Sequence, residues 1–176
     1  MALSVSKHFL KLICLTLVLS SIQVFAYNIS SGDVLHLEVF GEPDLNLDVT
    51  VDSSGFIEYP FAGRVSVEGK EVGDIKGEIV ALLKDGYFIN PQVTVVVKEF
   101  KPFFIQGEVK SPGSYPFEPG LTVRKAVALA GGFTERANKK KIYITEAGED
   151  ESSERKISLD ESIASGDIII VKESFF

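Results

Sequence analysis

Tyr27-Asn-Ile-Ser-Ser-Gly-Asp33, then Val34-Leu-His-Leu-Glu-Val-Phe40, then Gly41-Glu-Pro-Asp-Leu45 open the first of two blocks that decide the fold. The first block continues through Val51-Asp-Ser-Ser-Gly55, Tyr59-Pro60 and Gly63. The second runs Gln106-Gly-Glu-Val-Lys-Ser-Pro-Gly113 and closes on Leu129-Ala-Gly-Gly132. Both blocks set turn residues at fixed places between short apolar runs. Neither holds a nucleophile beside a base or a set of metal ligands. The pattern describes a scaffold that binds or conducts something, with no catalytic residue, metal or cofactor expected.

Working outward, Leu35, Leu37 and Val39 alternate with His36 and Glu38, which predicts a half-buried strand over Val34–Phe40. Leu45, Leu47, Val49 and Val51 repeat that alternation. Phe56–Tyr59 and Gly63–Val67 read as the next two strands. Ile75, Ile79, Leu82 and Leu83 lie at helical spacing, predicting a helix over Val72–Lys84 that stops at Asp85-Gly86. Asn90-Pro91 leads into a strand over Val93–Phe100. The second half restarts with strands at Phe103–Val109 and Tyr115–Phe117. Thr122 is a good N-cap for a helix over Val123–Ala130, ended by Gly131-Gly132. Ile142–Thr145, Ile157–Leu159 and Ile168–Val171 read as strands, and the acidic Gly148–Glu154 as an exposed loop tip. No close internal repeat is apparent. The expected fold class is α+β, as two small units, residues 27–101 and 102–176, joined near Lys101-Pro102.

Residues 1–26 read as a removable signal peptide. Lys7 and Lys11 form its basic start, and Leu12–Leu19 is an apolar run too short for a membrane span of about 20 residues. Val24-Phe25-Ala26 sets the cut after Ala26. Leu12 and Ile13 before the lone Cys14 argue against lipidation there. Removing two lysines from the 18 basic residues leaves 16 against 25 acids, a net charge of −9. That balance disfavours nucleic acid and anionic lipid as partners. The mature chain has no cysteine, and so neither disulfide nor thiolate chemistry.

The ordered set of turns resembles a known family. Tyr27–Phe100 resembles the polysaccharide export domain of the Wza-like outer-membrane exporters of capsule and exopolysaccharide. The resemblance rests on Gly32 and Asp33; on Gly41, Pro43, Asp44 and Leu45; on Asp52 with Gly55; and on Tyr59, Pro60, Gly63 and Pro91. Phe103–Val171 resembles a soluble-ligand-binding β-grasp (SLBB) domain through Gly107, Pro112, Gly113, Ala130, Gly131, Gly132, Gly166 and Asp167. Each of these residues also has a plain structural account. Glycines suit tight turns, prolines stiffen strand ends, and Asp33 and Asp167 can accept from nearby backbone amides. Most are therefore expected to set the fold and not to touch a ligand.

The resemblance implies a periplasmic component of a polysaccharide export machine in a Gram-negative bacterium. It implies a homo-oligomeric ring through which polysaccharide passes. The implied partners are an inner-membrane polysaccharide co-polymerase below and the outer membrane, or a β-barrel in it, above. Only Lys172–Phe176 follow Val171, so no membrane-crossing helix is expected there. Phe175-Phe176 reads as a frayed tail or a docking element. The alternative is a periplasmic glycan-binding module that does not conduct polymer. The chain has no Trp, which argues against tight lectin-like stacking.

Other candidates are plainer. His36 reads as a solvent-facing or satisfied side chain. Asp44 with Asp48 has the look of a glycosidase dyad, yet such pairs arise freely in an acidic chain. Glu149-Asp150-Glu151 lacks the spacing of a calcium loop. Lys139, Lys140 and Lys141 form the one dense basic run. They read as a solvated turn, or as a face for an acidic polymer or a neighbouring subunit, with Arg64 a second cation for such an interface.

Overall fold

The structure, a computed structural model, describes residues 27–174. The expected leader and the Phe175-Phe176 pair lie outside the described residues. Two hydrophobic cores form, one from Ile29 to Val95 and one from Phe103 to Val171. The molecule is α+β, with one principal helix in each half.

In the first half, strand β1 (Val34–Val39) lies between β2 (Leu47–Thr50) and β5 (Val93–Glu99), antiparallel to both. The alternation of β1 buries Leu35, Leu37 and Val39 and turns His36 and Glu38 outward. Helix α1 (Val72–Lys84) covers the apolar side with Ile75, Ile79 and Leu83, all fully buried. Asp74 in its first turn and Lys84 in its last suit the helix dipole. A hairpin of β3 (Phe56–Tyr59) and β4 (Gly63–Ser66) adds Ile57, Tyr59 and Val65 to the same core.

In the second half the sheet order is β7-β6-β10-β8-β9. Its strands are β6 (Phe103–Gly107), β7 (Gly113–Tyr115), β8 (Ala137–Thr145), β9 (Arg155–Lys156) and β10 (Ile168–Glu173). Central β10 runs parallel to β6 and antiparallel to β8. Helix α2 (Val123–Leu129) buries Val123, Ala126 and Val127. Its N-cap is Thr122, whose hydroxyl accepts from the Lys125 amide.

Four departures from the sequence reading have local causes. Leu45 is not in a strand. Pro43 opens a 3-10 turn over Pro43–Leu45, and β2 starts only at Leu47. The return strand ends at Tyr115 because Pro116 has no N–H to give the ladder. Strand β9 sits at Arg155–Lys156, and Ile157 behind it is buried in the core. Lys139–Lys141 do not form a turn but belong to β8.

Gly107 lets β6 approach β10. Its φ is +88°, and a Cβ there would overlap the Val171 carbonyl oxygen. Gly63 has a φ of +69° but open space around it. Gly63→Ala is therefore expected to cost about 1–2 kcal/mol, the strain of the left-handed backbone alone. Gly107→Ala adds a backbone collision and should cost more than about 3 kcal/mol. Denaturant unfolding of the two variants checks the order, and equal losses would refute it.

Candidate functional site

The candidate site is the junction of the two halves, built around a buried carboxylate. Gly32 takes the turn that delivers Asp33 to the start of β1, and the Asp33 side chain is fully buried. Asp33 Oδ2 accepts from the Ser30 amide at 2.9 Å and from the Tyr27 hydroxyl at 2.7 Å. Asp33 Oδ1 accepts from the Lys101 amide at 2.8 Å. Tyr27 Oη also lies 2.8 Å from Ser165 Oγ in the second half. One carboxylate thus binds the first strand to the connecting segment, and through Tyr27 to the far side of the junction.

Aromatic packing reinforces it. The Tyr27 ring meets Phe100 edge-on at 4.7 Å, and Phe100 meets Phe117 edge-on at 5.8 Å. Burial, partly offset by Ser165, pushes the Tyr27 phenol up to about 12. Asp167 does locally in the second half what Asp33 does in the first. Its carboxylate accepts from the Ala164 amide at 2.7 Å and the Ala147 amide at 3.2 Å. Burial raises its pKa, and those two amides oppose the rise. The Lys101 stem passes between the two turns. A Cβ on Gly32 would lie 3.5 Å from it, and one on Gly166 would lie 3.0 Å from it.

The sequence reading placed Asp33 and Asp167 in turns but missed that the two turns flank the Lys101 stem. It set the joint near Lys101-Pro102 but missed Tyr27 and Ser165 as junction residues. A signal was present: Ser31-Gly-Asp33 and Ser165-Gly-Asp167 are the same tripeptide, each followed by an apolar strand.

The other motif residues gather elsewhere. Gly41, Pro43, Asp44 and Leu45 form the loop after β1, where the Tyr59 hydroxyl donates to the Leu45 carbonyl at 2.6 Å. Pro60 lies in the β3–β4 turn, and Pro91 is buried just before β5. The Lys110 amide donates to the Gly132 carbonyl and the Ser111 amide to that of Ala130. These bonds join the Pro112-Gly113 turn to the Ala130-Gly131-Gly132 helix end. Asp52 accepts from the Ser54 and Phe56 amides, and Gly55 lies within that turn. Arg64 reaches Asp52 and lies 4.1 Å over the Phe56 ring, so it braces the hairpin.

Lys98 and His36 both engage Asp48 across the sheet, and together, Lys98 foremost, they hold its carboxyl below the usual range. Among the described residues no group of three His, Cys, Asp or Glu is arranged to hold a metal. Two grooves flank the junction. One of about 570 Å³ is lined by Tyr27, Ser30, Phe117, Arg155 and Ser165. One of about 620 Å³ is lined by Lys98, Phe100, Tyr115 and Phe117.

Residues 23–98 match the family described as polysaccharide biosynthesis/export protein, and residues 102–156 match the SLBB domain. The chain carries a polysaccharide export domain followed by an SLBB domain. The junction thus connects an export domain to an SLBB domain. An exopolysaccharide production protein, ExoF, of Rhizobium meliloti is 36% identical over 107 residues, covering 58% of this chain and 25% of that protein. The EPS I polysaccharide export outer membrane protein EpsA of Ralstonia nicotianae is 28% identical over 153 residues, covering 69% and 39%. Its counterpart in Ralstonia solanacearum is 26% identical over 149 residues, with the same coverage. The chain therefore spans 39% or less of the length of these relatives.

Asp33→Ala leaves the Ser30 and Lys101 amides and the Tyr27 hydroxyl without their acceptor. It should cost about 3 kcal/mol or more. Hydrogen exchange at the Lys101 amide should accelerate along with it, and an unchanged rate there would refute the junction role. Tyr59 gives a pH prediction. Burial raises its phenol from 10.0 to about 12, so the folded chain keeps a proton that the unfolded chain loses. Stability from this group is full below pH 10.0 and falls as pH climbs toward 12. Phenolate absorbance should show a late step from Tyr27 and Tyr59 together, whose amplitude falls in Tyr59→Phe while the Tyr27 part remains.

Proposed function

We propose that this chain is a periplasmic component of a bacterial polysaccharide export machine, with residues 27–101 as export domain, 102–176 as SLBB domain and 1–26 as a removed leader. In this reading, copies assemble head to tail into a ring that conducts polysaccharide toward the outer membrane of a Gram-negative cell. An inner-membrane polysaccharide co-polymerase lies below the ring, and the outer membrane or a β-barrel in it lies above. The chain carries out no chemistry of its own. The observation that supports this is the Asp33 junction: it connects the two family domains through a buried carboxylate and three packed rings. A head-to-tail interface closes into a ring only if each copy holds one angle, and a junction of this kind holds it.

A second reading draws on the groove of about 570 Å³ between the domains. In that reading the chain is a periplasmic module that binds glycan without conducting it. The discriminating measurement is cross-linking in cells that make the polymer. The conduit reading expects closed oligomers there and loss of surface polymer when the gene is deleted. A protein that stays monomeric in producing cells, while export continues without it, would leave only the binding module. Light scattering on the purified chain, with titration of short glycans, then separates a weak binder from an inert one.

A further inference from the structure

Two surfaces carry unmatched chemistry. The first is the end of the export domain away from the junction. Phe40 there is 82% exposed and Ile89 99% exposed. Phe61 joins them with a left-handed φ of 62°, the one non-glycine in that region among the described residues. Its ring lies 5.0 Å from that of the exposed Tyr87. Three loops are tied together to make this end. The Phe40 amide donates to the Gln92 carbonyl, and the Tyr59 hydroxyl holds the loop carrying Leu45. Glu42, Asp44 and Asp85 rim it, and none of them forms an ion pair among the described residues. Solvent-facing apolar patches with polar rims mark interaction sites.

The second surface lies in the SLBB domain. Strand β8 pairs with β10 at Ile142↔Val171 and next at Ala137↔Glu173, so Asn138–Lys141 fall in a bulge. Bulges re-aim side chains, and this one presents the lysine run. Lys139 and Lys140 are exposed and form no ion pair among the described residues, and the Lys139 ammonium sits 5.8 Å over the Phe133 ring. From Arg124 to Lys141 stand six bases and a single acid, Glu135, and of the bases Arg124 and Arg136 are paired with Asp160 and Glu173. Leu129 nearby is half exposed.

The two surfaces cannot meet within one chain. Strand β1 starts at the junction and runs away from it, and its six residues span about 20 Å before Phe40. The acidic, aromatic end therefore points away from the domain that carries the lysines.

We infer that the acid-rimmed aromatic end of one copy docks on the lysine bulge of the next. The inference rests on the ring reading and names its contact surfaces. Because the surfaces differ, the contact is heterologous, as a ring requires. Exposed opposite charges make it sensitive to salt, and the aromatic centre supplies the part that salt does not touch.

The test uses the full mature chain at low ionic strength, with sedimentation and cross-linking as readouts. Glu42→Lys with Asp85→Lys makes the rim basic. Lys139→Glu with Lys140→Glu makes the bulge acidic. All four positions are exposed, and circular dichroism verifies that each variant folds. Each double variant alone should associate about tenfold or more weakly than wild type. Mixing the two should restore association, since each supplies the charge the other needs. Phe40→Ser with Ile89→Ser should weaken association at every salt concentration. If wild type associates and both charge variants do so equally well, these surfaces are not the contact, while the ring reading stands. The same conclusion follows if the mixture stays apart. If wild type remains monomeric even when cross-linked in producing cells, the ring reading and this contact fall together.

Discussion

A carboxylate removed from water must find donors, and Asp33 finds three of them in two segments at once. The Ser30 amide belongs to the incoming chain, the Lys101 amide to the connection, and the Tyr27 hydroxyl reaches on toward Ser165. Leaving any of these unmet costs the desolvation of the group, which favours the one arrangement that satisfies all three. Phe100 and Phe117 close the apolar side around Tyr27, and the Lys101 stem fills the gap between Gly32 and Gly166.

From that constraint the placement of everything else follows. Strand β1 leaves Asp33 and carries its far end, with Phe40, away from the second domain. Strand β10 leaves Asp167 and sets the register against which β8 bulges. The two Ser-Gly-Asp turns are thus the roots of the two sheets, set on either side of the Lys101 stem. For a protein read as a ring subunit, that is a mechanical property: it transmits the angle of one domain to the other.

Charge has a different part. The cross-strand pairs of Asp48 with His36 and Lys98, and of Arg155 with Glu146 and Glu161, are solvent-exposed. Pairs of that kind contribute little to stability, so the folded state rests on the two apolar cores. What these pairs do is use up charge on the flanks of the sheets. The acids around Phe40 and Lys139 and Lys140 of the β8 bulge, which form no ion pair among the described residues, are then left at separate places, available to another molecule.

The elements themselves were legible in sequence because they follow from period. The two-residue alternation of Leu35, Leu37 and Val39 and the helical spacing of Ile75, Ile79 and Leu83 specify which side is apolar, whatever the neighbours. Thr122 marked its helix start for the same local reason. Errors fell where a local cue was overruled: Pro43 and Pro116 ended ladders that alternation alone would continue. Three adjacent lysines read as a turn because nothing in the run shows that β10 has fewer residues across from it. By itself, then, the sequence determined the α+β class, the helices, most strands and the family resemblance. Only the tertiary structure decided that Asp33 and Asp167 converge, that Tyr27 and Lys101 stand between them, and that the aromatic end and the lysine bulge lie apart. Those facts depend on contacts between residues more than a hundred positions distant, such as Tyr27 with Ser165. Periodicity records which side of an element avoids water, but not which other element covers it.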